Sequence, residues 1–291
     1  MNVIAHRGAS AYAPENTLAA FEKAVAMRAH WFELDCTLSQ DGHVIVIHDD
    51  DLERTAGLPA TVADLTLAQI RHAEAGSWFN ESFRGERIPT LGESLDLARG
   101  RIGVYVEVKN ADDDTELLAQ LRKLAAGRDA LLPELAQEVM ARIAASGTRN
   151  LDLARAVIEQ IRDHRMVSGV VVQSFSPIVC AVARIEAPEI RTELLASYDA
   201  ERPQVWADYL QWAQLLNVAG FNAEAEAVDA ALVGRMHREG RTVAVWTVND
   251  AEGMRRFQSM GVDAIITDRP DVCLEVTGAA IAGSASDADS L

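Results

Sequence analysis

Near its start the chain reads Val3-Ile4-Ala5-His6-Arg7-Gly8, a short apolar strand that delivers an imidazole and a guanidinium into a turn. An imidazole can move protons near neutral pH, and a guanidinium fork can hold a phosphate. Gly8 permits the tight exit that leaves His6 facing a cavity. Later segments place charge inside apolar strand patterns, where burial without a task is costly. In Trp31-Phe32-Glu33-Leu34-Asp35-Cys36 two carboxylates stand two residues apart, so an extended strand points both to one face. Crowded like charges raise each other's pKa unless a cation sits between them, and hard divalent ions such as Mg2+ or Ca2+ take oxygen ligands of this kind. Glu33 and Asp35 therefore read as metal ligands, the rival being an edge strand with a solvated acidic face. A further strand pattern, Ile102 to Lys109, ends with Glu107 and Lys109 on one face. Glu107 would complete a three-carboxylate cation site and Lys109 would meet the negative charge of a ligand. The plainer alternative is a cross-strand salt bridge.

Between these segments lies a hairpin, Leu38 to Asp49, in which Asp41-Gly42 is a two-residue turn signal between alternating apolar positions. With those two residues as the loop, Gln40 pairs with His43, and counting outward Asp35 pairs with His48 on the same face. That register brings a second histidine to the proposed metal site, while His43 reads as an exposed turn residue.

With these residues in place the chain resembles the glycerophosphodiester phosphodiesterase family. The matching motifs are His6-Arg7-Gly8, Pro14-Glu15-Asn16-Thr17, Glu33-Leu34-Asp35, Asp41-Gly42, His48-Asp49, Arg87-Ile88-Pro89-Thr90-Leu91, Glu107-Val108-Lys109, Gln173-Ser174-Phe175, Trp246-Thr247-Val248-Asn249 and Thr267-Asp268. Each is weak alone; their order along nearly the whole chain is specific. The resemblance implies an enzyme that splits glycerophosphodiesters into glycerol 3-phosphate and an alcohol. His6 and His48 would be its acid-base pair, Arg7 and Lys109 its phosphate ligands, and Glu33, Asp35 and Glu107 the ligands of one divalent cation, Mg2+ or Ca2+. It also implies that the glycerol's neighbouring hydroxyl is the first nucleophile. Gln173, Phe175 and Trp246 would bind the substrate, with Trp246 packing on glycerol carbons or the leaving alcohol. Two other readings stay open: the same site acting on lysophospholipids, and a barrel that captures glycerophosphodiesters without turning them over.

The positioning elements follow from the rest of the pattern. Strand and helix signals alternate from end to end, which favours a parallel sheet covered by helices. A chain of 291 residues suits one (β/α)8 TIM barrel. Eight strands are expected near 3 to 6, 31 to 36, 103 to 108, 169 to 174, 190 to 195, 214 to 219, 242 to 247 and 263 to 267. One domain would span 1 to 277, with a small insertion at 49 to 88, which the family resemblance implies lies over the mouth and shapes the leaving-group pocket. A longer helical insertion at about 110 to 167 includes a helix begun by Pro133 and ended by Gly147. Residues 278 to 291 read as a disordered tail. Trp31, Trp78, Trp206 and Trp212 read as packing residues.

A composition of 49% hydrophobic and 24% charged residues is that of a globular protein. The net charge of -17 argues against a nucleic-acid partner, since such binding needs a basic face. A phosphodiester would be repelled by so acidic a chain unless a divalent cation, Arg7 and Lys109 made one locally positive spot. No apolar run approaches the length of a membrane span, and no signal segment precedes the first strand. A cytoplasmic enzyme without stable membrane association is expected, a homo-oligomer being left open. The 3 cysteines are unclustered, which suggests buried thiols rather than disulfides or zinc.

Overall fold

The computed structural model describes residues 1–279, so from residue 280 onward the expected tail lies outside the described residues. Eight parallel strands pair in a closed ring: β1 (Asn2–Ala5), β2 (Trp31–Leu38), β6 (Gly103–Val108), β7 (Val170–Ser174), β8 (Arg191–Ala196), β9 (Gly220–Glu224), β10 (Thr242–Trp246) and β11 (Ala264–Thr267), with β11 returning to β1. This is the TIM-barrel architecture. β3 (Val44–Val46) folds back antiparallel on β2, and β4 (Asp51–Leu52) pairs with β5 (Leu58–Thr61) in a separate small ladder.

Period-two alternation decides which side chains reach the ring's interior. Val104, Val106 and Val108 pack into the main core beneath the helices. Ile4, Tyr105, Val171, Ala244, Ala264 and Ile266, on the opposite faces of their strands, form their own buried cluster. Continuing that inward parity toward the strand ends gives His6, Glu33, Asp35, Glu107, Lys109, Gln173, Phe175 and Trp246, so one rule of pleating gathers them at the carboxyl-terminal mouth.

The helices are set by local chemistry. Thr17 caps α1 (Leu18–Ala26) by accepting from the Ala20 N–H. Thr90 and Glu93 form a capping box on α4 (Leu91–Ala98). Between β6 and β7 stand three helices, α5 (Thr115–Leu124), α6 (Pro133–Ser146) and α7 (Arg149–Asp163), with Pro133 opening α6 and Gly147 ending it in the left-handed conformation. α8 (Pro177–Glu186), α9 (Pro203–Leu216), α10 (Ala230–Arg238), α11 (Ala251–Met260) and α12 (Pro270–Thr277) complete the layer. Phe21 of α1 stacks on Phe32 of β2 with ring centroids 4.3 Å apart, both fully buried; each such side chain contributes roughly 1.5–3 kcal/mol of burial. Residues 49 to 88 carry two short helices, α2 (Glu53–Ala56) and α3 (Leu67–Ile70). Their own apolar cluster of Leu52, Val62, Ile70, Ala75 and Ile88 packs with Ile45 and Ile47.

Two sequence expectations are corrected. The sixth strand lies at Gly220–Glu224 rather than 214 to 219, because Gln214-Leu215-Leu216 finishes α9 and Asn217 caps it at φ 46°. The hairpin loop has three residues rather than two. Ser39 N–H donates to the His43 carbonyl at 2.9 Å, and Gly42 sits at φ 82°, the arrangement of a three-residue loop with a left-handed glycine. Asp41 is used otherwise: its carboxylate accepts from Ser39 Oγ at 2.8 Å and from the Leu67 N–H at 2.9 Å, docking the segment that starts α3. The register moves by one, so Cys36 faces Val46, and the Ile47 N–H, not His48, meets the Asp35 carbonyl at 3.0 Å.

Gly8 stands where the chain turns under α1. Its φ is 81°, and a Cβ there would lie 2.7 Å from the Ala20 carbonyl carbon and its Cβ. Gly8→Ala is therefore expected to lower stability by more than about 1 kcal/mol, since both conformation and space are wrong for alanine; urea denaturation monitored by circular dichroism measures it.

Candidate active site

At the mouth lies a cavity of about 260 Å³. Of the ten residues proposed from sequence, nine line it: His6, Arg7, Glu33, His48, Glu107, Lys109, Gln173, Phe175 and Trp246. Asp35 lies just behind, 1% exposed, with its carboxylate within reach of the same groups. Leu195 and Ile266 add apolar wall, and Thr247 completes the lining. Among the described residues none from 49 to 88 lines this cavity. Trp78 packs edge-on against Phe79 at 5.9 Å yet stays 42% exposed.

The acidic centre comes from adjacent strands. Asp35 of β2 stands level with Glu107 of β6, and Glu33 lies one inward step earlier on β2. Ligand oxygens of the three lie within 4.8 Å of one another, all three residues buried. Burial, together with Asp35 and Glu107, pushes the Glu33 carboxyl well above its ordinary range. Burial and Asp35 push Glu107 up to about 7, although Lys109 opposes them. Asp35 is held low against its burial by Arg7, Lys109, His48 and Asn16. The chain's own cations thus leave two of three carboxylates short of positive charge. A buried, all-oxygen donor set with that shortfall fits a hard divalent ion.

Cationic side chains brace the centre. Lys109 Nζ is 3.0 Å from Glu107 Oε1 and 3.6 Å from Asp35 Oδ1. Arg7 sits at φ 55°, and its backbone N–H donates to Glu33 Oε2 at 2.9 Å. Its Nε lies 3.2 Å from Asp35 Oδ2, and its Nη1 donates to Glu15 at 2.8 Å. Asn16 donates from Nδ2 to Asp35 Oδ2 at 2.9 Å and accepts the Asp35 N–H at 3.2 Å, fixing that carboxylate from behind.

Each histidine in the cavity has a carboxylate on its Nδ1. His6 Nδ1 lies 2.7 Å from Asp268 Oδ1, and His48 Nδ1 lies 2.7 Å from Asp49 Oδ1. Asp268 is partly buried, which would raise its pKa, but His6, Ser10 Oγ at 3.0 Å and Asn249 Nδ2 at 2.5 Å hold it below the usual carboxylate range. Asp49 is held at about 2, first by Arg54 and also by His48. His48 reaches the cavity despite the shifted register because β3 stops at Val46 and the chain leaves the ladder after Ile47.

On the far wall Phe175 meets Trp246 edge-on at 5.6 Å, and Trp246 Nε1 donates to the Asn222 carbonyl at 3.2 Å. Asn222 Nδ2 donates to Gln173 Oε1 at 2.9 Å and to Glu193 Oε2 at 2.8 Å, so Gln173 spends its carbonyl inside the protein. Sequence reasoning assigned no role to Asp49, Asp268, Asn16, Glu15, Asn249 or Arg54. Glu15, Asn16, Asp49, Asn249 and Asp268 all lie in the family-matching motifs, so their signal was present without a role; Asp268 also follows the last strand at the mouth, and Asp49 is His48's neighbour. Arg54 carried no signal.

Residues 6–272 match the glycerophosphoryl diester phosphodiesterase family. The glycerophosphodiester phosphodiesterase of Caldanaerobacter subterraneus is 31% identical over 276 residues, covering 94% of this chain and 96% of that one. Among solved structures, the glycerophosphodiester phosphodiesterase of Agrobacterium tumefaciens superposes with a TM-score of 0.67 at 26% identity, covering 94% of this chain and 99% of its own. An Oleispira antarctica phosphodiesterase, solved with the product sn-glycerol-3-phosphate, reaches a TM-score of 0.74 at 24% identity, covering 96% and 97%, and supports the fold. Cavity, acidic centre, barrel and sequence agree, and the chain belongs to the glycerophosphodiester phosphodiesterase family of phosphoric diester hydrolases.

Proposed function

We propose that this chain hydrolyses glycerophosphodiesters to glycerol 3-phosphate and an alcohol, with His6 and His48 as the proton-transferring pair. The observation that carries the reading is the pairing of each imidazole with its own carboxylate on the wall of one cavity. An ionised carboxylate only accepts, so Nδ1 bears the ring proton and Nε2 is the working nitrogen. One neutral imidazole accepts the proton of the glycerol hydroxyl next to the ester as that oxygen attacks phosphorus. The other, protonated, gives its proton to the departing alkoxide as the phosphorus–oxygen bond breaks. The product is a cyclic phosphate and a free alcohol; water then opens the ring, with the imidazoles exchanging roles.

Glu33, Asp35 and Glu107 would hold Mg2+ or Ca2+, which when bound supplies charge to a non-bridging phosphate oxygen. Arg7, braced by Glu15, and Lys109 add fixed positive charge on the same wall. Phe175 and Trp246 offer aromatic surface to the organic part of the substrate. No helix among the described residues is long and apolar enough to cross a membrane.

His6→Ala and His48→Ala should each lower turnover of glycerophosphocholine by roughly a hundredfold or more with unchanged circular dichroism, the scale of losing a general acid or base; near-normal choline release by either variant would refute the pair. EDTA should abolish hydrolysis, and Mg2+ or Ca2+ should restore it. Independently of activity, titration calorimetry should detect binding of one of these ions to the wild type and none to Asp35→Asn. Tight binding of glycerophosphocholine with no product would instead mark a capture protein.

A further inference from the structure

One guanidinium outside the cavity is bonded to the supports of two residues inside it. Arg54, from α2, donates from Nε to Asp49 Oδ2 at 2.6 Å and from Nη2 to Asp49 Oδ1 at 3.2 Å. The same group donates from Nη1 to Glu15 Oε2 at 2.9 Å and from Nη2 to Glu15 Oε1 at 2.7 Å. Asp49 is the carboxylate on His48, and Glu15 is the carboxylate on Arg7. Trp78 lies beneath, its ring centroid 5.8 Å from the guanidinium carbon, a cation–π contact that confines the fork and gives this half-exposed tryptophan a task.

We propose that Arg54 is a positioning residue that sets the orientation of His48 through Asp49 and of Arg7 through Glu15. The inference rests on the catalytic reading above. An exposed ion pair usually contributes little, because two flexible side chains must be immobilised in water. This one differs in geometry: a planar fork grips two carboxylates through both of their oxygens, and each carboxylate is already committed to a second partner. Removing the fork frees Asp49 to rotate away from His48 Nδ1 and Glu15 to loosen Arg7. It also gives residues 49 to 88 a part in catalysis although none of them lines the cavity.

The two arms predict a separable signature. Steady-state kinetics on glycerophosphocholine would compare wild type with Arg54→Met, Arg54→Lys, Asp49→Asn, Glu15→Gln and the double variant Arg54→Met/Asp49→Asn. Circular dichroism would confirm folding of each. Arg54→Met should lose roughly tenfold or more in kcat and raise KM, the scale of losing an outer-shell partner. Arg54→Lys keeps the charge without the fork and should recover only part. Asp49→Asn should reproduce the kcat loss, Glu15→Gln the rise in KM, and the double variant should have no lower kcat than the worse single one. Kinetics of Arg54→Met and Arg54→Lys within about twofold of wild type, or fully additive losses in the double variant, would overturn the proposal. If Arg54→Met does not fold, Arg54→Lys and the two carboxylate variants still decide. Wild-type turnover by His48→Ala would remove the catalytic reading itself, whereas an inactive His48→Ala beside a normal Arg54→Met would remove the clamp alone.

Discussion

Three carboxylates held on two neighbouring strand ends, with oxygens within 4.8 Å of one another, set the charge problem around which the barrel mouth is arranged. At such a spacing each like-charge pair costs on the order of 3–4 kcal/mol at the effective dielectric of a protein. Lys109 on β6's exit and Arg7 on the β1 turn lean against the cluster, and Asn16 and the Arg7 backbone N–H take up lone pairs. These contacts do not cancel the charge; they hold it in a fixed geometry at the barrel mouth. Two cations against three carboxylates leave the mouth acidic, in keeping with the chain as a whole, and only a further positive charge would reverse that.

A second level of organisation surrounds that centre. His6, His48, Arg7 and Gln173 each have a partner that faces away from the cavity: Asp268, Asp49, Glu15 and Asn222. Each partner is held again, by Ser10 and Asn249, by Arg54, or by Glu193. A side chain fixed at one polar atom presents the other in a defined direction, which lowers the reorganisation required when a substrate binds. Apolar contact does the same for Phe175 and Trp246.

The sequence revealed the groups facing the cavity more readily than their supports, and the reason is geometric. Glu33, Asp35, Glu107 and Lys109 were legible because strand period alone places alternate residues on one face. Gly147 and Pro133 were legible because helix ends have local chemistry. The sixth strand was misplaced because Leu215 and Leu216 are apolar whether they end a helix or fill a strand, and the buried Asn222 of the true strand disguises it. The hairpin register failed because Asp41 bonds to the Leu67 N–H, distant in sequence, which the turn signal cannot express. Arg54 was invisible for the same reason: its bond to Glu15 spans 39 positions.

The ring closes where the first strand meets the last, β1 against β11, and His6 takes its carboxylate from Asp268, 262 positions away. The imidazole at the exit of the first strand is therefore oriented by a residue that the strand closing the ring delivers. Closing the seam and buttressing the imidazole are one event, so a chain whose β1 and β11 have not paired has neither. Order at that corner of the mouth is in this way coupled to closure of the whole ring, and the two are gained or lost together.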